Sequence, residues 1–281
     1  MATLVQFGGK KQAALVALRA ALRRLEGPGR AAAGVVPTGF DAIDRALPDG
    51  GLARGALHEI VADEADQAAA SGFLARLLAG LGAAGPVLWC LADPDLYGPG
   101  LARLGLAPGR LILARARRDA DLLWAMEEGL KTPGLAAVLG EPHGLDLTAS
   151  RRLQLAAEST GGVGLVLRRA QAADADQRGK ATAAVTRWRV ASAPSLADLP
   201  NLDLPGLAVP RDFGLMRGRW RVSLERCRGA VPIYDGVSGD GSYGEWLVEE
   251  TDATSAVAVA QQLGDRSGAS PAAVRAVRRV G

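Results

Sequence analysis

From residue 56 to residue 170, short apolar runs alternate with stretches of helical period. "ALHEIVA" (Ala56 to Ala62), "VLWCL" (Val87 to Leu91), "RLILARA", "GLAAVLGE" and "GVGLVLRRA" read as strands. Runs such as Val87 to Leu91 show no polar alternation, which fits strands covered on both faces of a parallel sheet. Between them, Gln67 to Leu81 places Phe73, Leu74, Leu77, Leu78 and Leu81 inward at helical spacing. "DADLLWAMEEGLK" is a helix with Asp119 and Asp121 in its first turn, where acids suit the positive end of the helix dipole. "DLTASRRLQLAAEST" is a helix capped by Asp146. A loop with Asp93 and Asp95, then a short helix, follows the Val87 strand. Strand and helix alternate at least four times, which predicts a mostly parallel, doubly wound α/β sheet with helices on both faces.

The ends of the chain read differently. Leu15, Leu18, Leu22 and Leu25 form one apolar stripe on a helix predicted over residues 10–26, and "GPGR" ends it. A turn at Pro37-Thr38-Gly39, a short helix over Phe40 to Leu47 and a glycine turn at Gly50-Gly51 come next. After Ala170 the period is lost, and the stretch to Ala184 reads as a mobile loop. "VTRWRVASA", "GRWRVSLERCRG" and "EWLVEE" alternate apolar and polar residues, as antiparallel strands at a sheet edge do. The intervening stretch is rich in proline and glycine, and a last helix with a basic tail starts at Ser270-Pro271. The expected organisation is an N-terminal helix and linker over 1–33, a core over 34–230, and a strand with a basic helical tail over 231–281.

Composition narrows this little. The 281 residues are 48% hydrophobic and 22% charged, with net charge +3, in the range of globular domains. No apolar run reaches the roughly 18 residues of a membrane helix. The N-terminal stretch lacks a signal-peptide pattern, and two cysteines, Cys90 and Cys227, make no disulfide framework. A reducing cytoplasm is the expected compartment. Only four of the 33 basic residues are lysine (Lys10, Lys11, Lys131, Lys180). Arginine suits phosphate and interface contacts, although GC-rich coding would produce the same skew.

Few side chains suggest catalysis. His58 sits in a strand beside Glu59, His143 sits in a loop without a second ligand, and Ser71-Gly72 lacks a nucleophile-elbow context. The expected metal and cofactor content is none. For nucleic acid, the loop after the "GVGLVLRRA" strand offers Arg168, Arg169, Arg178 and Lys180. It also has Asp174 and Asp176, and no aromatic for base stacking. Arg217, Arg219 and Arg221 share one face of a strand, with Arg226, Arg228 and Trp220 nearby, and form a better basic strip.

Three patterns occur in order: "PTGFDAIDRALPDGGLARGALHEI", "VLWCLADPDLYGPGLARLGL" and "LAAVLGE". They resemble the core segments of RecA-type recombinases. A finer set, "GALHEI", "DLYGPGLARLGL", "RLILARARRDADLLWAMEEGL", "DLTASRRLQLAAE", "TRWRVASAPS" and "RWRVSLERCRG", resembles the ImuA family of damage-inducible mutagenesis proteins over about residues 38–229. The resemblance implies a RecA-like fold and a register for the phosphate loop G-x-x-x-x-G-K-[ST]. In that register Ala62 and Gln67 stand at the two glycines, Ala68 at the lysine and Ala69 at the hydroxyl. Glycines there let backbone N–H groups close on phosphates, while the lysine and hydroxyl hold the outer phosphates and magnesium. All four positions are substituted, and Asp63, Glu64 and Asp66 crowd the place of the phosphates. Two like charges about 4 Å apart repel by about 4 kcal/mol at an effective dielectric of about 20. Asp93 stands at the recombinase catalytic acid, and Gly140 or Glu141 at the metal-binding aspartate.

The implied role is a non-enzymatic accessory protein of SOS-induced translesion synthesis. Its partners would be an ImuB-type Y-family polymerase-like protein, an error-prone DnaE-type polymerase and RecA. The leucine-striped N-terminal helix matches the recombinase helix that bridges to a neighbour. Two alternatives stand beside this reading: an ATP-regulated switch with an unusual nucleotide mode, and a cell-division inhibitor related to SulA.

Overall fold

A computed structural model describes residues 34–81, 85–93, 95–170, 181–194, 218–230, 243–250 and 257–262. The leucines at 15, 18, 22 and 25, Arg178, Lys180, Arg217 and the helix expected at Ser270 lie outside the described residues.

Eleven strands and five α-helices make up these parts. β1 (Val35–Val36) and β2 (Leu52–Ala53) form a small antiparallel pair around α1 (Asp41–Ala46). The other nine strands are β3 (Ala56–Asp63), β4 (Val87–Leu91), β5 (Leu111–Arg115), β6 (Ala137–Gly140), β7 (Val163–Ala170), β8 (Thr186–Ser192), β9 (Arg219–Cys227), β10 (Glu245–Glu250) and β11 (Val257–Gln262). They form one sheet in the order β11-β10-β9-β8-β3-β7-β6-β4-β5. From β8 to β5 every pairing is parallel, and β9, β10 and β11 add on antiparallel.

The α/β class and the strand and helix positions of the core agree with the reading of the sequence, and "VTRWRVASA" agrees in part. It was expected among the antiparallel edge strands. It does pair antiparallel with β9, but on its other side it lies parallel to β3, with His58 to Val61 opposite Thr186 to Arg189. Alternation reports that one face is more polar, and it carries no information on strand direction. Here the polarity comes from Arg187, which answers the buried Glu59, and Arg189, which pairs with Glu225. The end of the stretch expected as a mobile loop is packed. Thr182, Ala183 and Ala184 are buried, and Ala183 donates its N–H to Ser150 Oγ at 3.0 Å.

Helices cover both faces. On one, α2 (Gln67–Gly80) with α1 and α3 (Gly98–Arg103) closes the larger core. Phe73 stacks on Phe40 (centroids 5.6 Å apart) and meets Trp220 edge-on at 6.4 Å, while Trp188 and Trp246 lie 6.3 Å apart. On the other face, α4 (Asp119–Lys131) and α5 (Leu147–Thr160) bury Leu122, Met126, Leu130 and Leu153 over β6, β4 and β7. The Asp146 cap is present: its side chain accepts from Ala149 N–H at 2.6 Å. Gln154 of α5 reaches the sheet, accepting from Leu57 N–H (2.9 Å) and donating to Gly55 C=O (3.1 Å). Among the described residues no helix is long and apolar enough to cross a membrane.

Candidate functional site

The site implied by the phosphate-loop register is the junction between β3 and α2. A phosphate loop needs slack between strand and helix so that successive N–H groups can turn inward. That slack is missing here. β3 runs on through Asp63, a single 3-10 turn takes Glu64 to Asp66, and α2 begins at Gln67. Ala62 is therefore an interior strand residue with no exposed surface, paired with Arg169 of β7. Gln67, Ala68 and Ala69 form the first turn of α2.

Two of the three acids here, Asp63 and Asp66, have protein partners. Asp66 Oδ1 accepts from the N–H and hydroxyl of Ser192, at 2.8 and 2.6 Å, which ties the turn to the end of β8. Asp63 lies 3.6 Å from the Arg189 guanidinium. From the other side Trp220 Nε1 donates to Ala69 C=O at 2.8 Å, and its ring lies over Gly72. Strand, turn and helix are thus sealed to β8 and β9.

Beside the junction is a cleft of about 430 Å³ between α2 and α3, lined by Gln67, Ala68, Ser71, Asp95, Tyr97 and Arg169 among others. Its floor is Arg169, at the end of β7. One guanidinium N–H meets Asp95 Oδ2 at 2.6 Å and Gln67 Oε1 at 3.4 Å. The other meets Asp95 Oδ1 at 3.2 Å and pairs with Glu141. Glu141 follows β6, is almost fully buried, and also accepts from Trp89 Nε1 at 2.6 Å. Burial raises the Glu141 carboxyl above its ordinary range, although the Arg169 charge and the Trp89 bond pull the other way. Asp95, more exposed, is lowered by its hydrogen bond to Arg169. Burial works against the Arg169 charge, but the two carboxylates outweigh it and raise that group.

These positions revise several expectations. The acid at the cleft is Asp95, while Asp93 is exposed two residues earlier and its C=O accepts from Asp95 N–H at 2.9 Å. Glu141, not Gly140, carries the carboxylate at the end of β6, and a guanidinium holds it. Gly140 lies where an added Cβ would meet Met126 Sδ at 2.1 Å. Arg168 and Arg169 lie on β7 and not on a loop. Arg168 is buried, 2.7 Å from Glu59 Oε1, and Arg169 is the floor of the cleft. Arg219 and Arg221 do share a face of β9, but glutamates on β10 answer them: Glu249 at 2.7 Å and Glu245 at 3.8 Å.

The second polar centre is Glu59, mid-strand and without exposed surface. It accepts from Arg168 (2.7 Å), Arg187 Nε (2.9 Å) and Thr182 Oγ1 (2.7 Å), with Arg226 3.8 Å away. Burial works to raise its pKa, yet the Arg168 bond and the other partners together hold it below the ordinary carboxylate range. His58 is structural, as expected: Nε2 faces Ala53 C=O at 2.9 Å and Nδ1 faces Thr186 Oγ1 at 2.8 Å. Because a carbonyl only accepts, Nε2 carries the proton. Burial pushes the Cys90 thiol up to about 12, so it is no nucleophile. Among the described residues no group of three His, Cys, Asp or Glu side chains is placed to hold a metal ion.

The sequence reading missed Asp95 and Tyr97 as parts of the cleft and Trp89 as the partner of Glu141. A signal for Asp95 was present: two arginines close an otherwise apolar strand in "GVGLVLRRA", and buried guanidinium groups require acids nearby.

Fold and site together define a mainly parallel α/β protein whose β3–α2 junction is sealed by side chains, beside an arginine-floored cleft. No family model matches the chain. It is 38% identical over 228 residues to Protein ImuA of Caulobacter vibrioides, strain NA1000 / CB15N, covering 78% of this chain and 84% of that protein. Protein ImuA of strain ATCC 19089 / CIP 103742 / CB 15 matches to the same extent. The chain belongs to the ImuA family.

Proposed function

We propose that this chain is a RecA-like accessory protein of damage-induced mutagenic translesion synthesis, acting by binding other proteins and not by turning over nucleotide. The observation that carries the non-catalytic part is the β3–α2 junction. Its strand runs on to Asp63, its connection is one 3-10 turn, and Asp66, Asp63 and the Ala69 carbonyl are engaged by Ser192, Arg189 and Trp220. The cleft beside it has its one lining guanidinium, Arg169, committed to Asp95 and Glu141. ImuA membership supplies the mutagenesis setting. The partners in this reading are an ImuB-type polymerase-like protein, RecA and an error-prone DnaE-type polymerase.

Calorimetry with ATP and magnesium tests the first part; no heat at millimolar nucleotide is expected. A cleft of about 430 Å³ lies within the size range of small-molecule sites, so saturable heat would favour the ATP-regulated switch. Co-purification after DNA damage tests the second part, with an ImuB-type protein expected in the eluate. Recovery of FtsZ in its place would favour the cell-division inhibitor.

A further inference from the structure

The sheet ends on one side at β5, and natural edge strands are normally protected by charge, proline, bulges or a covering element. β5 has little of this. Its five residues pair with Val87 to Leu91 of β4 without a register shift, and none is proline. Ile112 is 47% and Leu113 57% exposed, on opposite faces of the strand. Among the described residues nothing pairs with the outer edge.

Backbone direction can be assigned. Ala116 donates its N–H to Leu91 C=O, toward β4. Backbone groups alternate along a strand, so the N–H and C=O of Leu113 and Arg115 point away from the sheet. We propose that this edge takes up an extended segment of a partner protein as a further strand, one with alternating apolar side chains flanked by aspartate or glutamate.

Charge selects that occupant. Arg115 and Arg117 lie at the end of the strand, and among the described residues neither has a carboxylate partner, whereas Asp121 holds Arg118 at 2.8 Å. A second copy of the chain fits poorly. Antiparallel pairing of β5 with itself, centred on Leu113, sets Arg115 of each copy opposite Leu111 of the other and Arg117 opposite Gly109, so neither arginine gains a carboxylate. Strand addition draws affinity from main-chain hydrogen bonds and specificity from alternate side chains, and the exposed Ile112 and Leu113 supply that surface. This surface is separate from the cleft. The inference deepens the accessory reading by giving the chemistry of one partner, and a direct peptide assay separates its failure from the failure of that reading.

The test uses the full chain and a synthetic peptide of alternating valine and threonine with two aspartates at each end. Binding is expected, weakened by added salt, with new protection of the Leu113 and Arg115 amides from hydrogen exchange. Leu113→Pro removes an outward N–H, a change that edge strands tolerate, so a folded chain with about tenfold weaker binding is expected. Arg115→Glu with Arg117→Glu is expected to reverse the preference toward a lysine-flanked peptide. Four results would overturn the proposal: equal binding of the two peptides by the wild type; unchanged binding by Leu113→Pro; Leu113 and Arg115 amides already protected in the free chain; or a dimer that Leu113→Pro dissociates.

Discussion

Glu59 is a carboxylate in the sheet interior with three arginines around it, Arg168 and Arg187 in contact and Arg226 3.8 Å away. Taking any one charge out leaves the others uncompensated. Glu59→Gln is expected to cost about 3–5 kcal/mol in urea unfolding near neutral pH, the usual cost of breaking a buried pair from one side. The pH dependence follows from sign. Its folded pKa lies below the ordinary 4.5, so its contribution is complete above 4.5 and is lost as pH falls through the folded value. The wild type is therefore expected to weaken on that acid limb, and Glu59→Gln to show a flatter one. Glu141 behaves oppositely. Its pKa is raised above 4.5, so the folded chain binds the extra proton and this residue makes stability fall as pH rises through that window. Glu141→Gln keeps an acceptor for Trp89 Nε1 and is expected to gain stability relative to the wild type as pH climbs from 4.5. A relative loss over that range would contradict the assignment.

At the scale of elements, the β3–α2 junction decides what the cleft does. Restoring the phosphate-loop residues (Ala62→Gly, Gln67→Gly, Ala68→Lys and Ala69→Thr together) is expected not to restore ATP binding by calorimetry. The backbone has one 3-10 turn where a phosphate loop needs several residues of slack, and Ser192 and Trp220 hold both sides of it. Micromolar ATP affinity in a folded variant would show that the side chains alone were at fault. Much of this region was legible in the sequence. The apolar run of β4, the acids opening α4 and the Asp146 cap of α5 follow from local rules, and the structure has them. The parallel placement of β8 beside β3 was not legible, because its alternation follows from Arg187 and Arg189, which answer Glu59 and Glu225 on two other strands. The Asp95–Arg169–Glu141 arrangement was equally hidden, since its members come from three different strand ends.

For the whole molecule, the charge pattern bears on nucleic acid. Net charge is +3, and on the described sheet face the arginines of β9 alternate with acids of β10, not with open surface. Affinity for duplex DNA is set largely by the number of phosphates neutralised. The chain alone is thus expected to bind duplex weakly, with a salt slope of about one or two released ions. Arg221→Ala is expected to shift stability by no more than about 0.5 kcal/mol, since its pair is exposed. A steep slope in fluorescence anisotropy, reduced by Arg221→Ala, would return that face to the nucleic-acid reading.

The sequence by itself determined the α/β class, the core strands and helices, the Asp146 cap and the acids that open α4. All of these rest on spacing and residue type within one segment. The tertiary structure alone decided which arginines are free and which are spent, and in which direction β8 joins the sheet. It also decided that the loop's place is taken by a sealed turn, and that β5 is left with an open edge. Each of these is a relation between segments far apart in the chain, and a buried charge acquires its meaning only from the partner that folding brings to it.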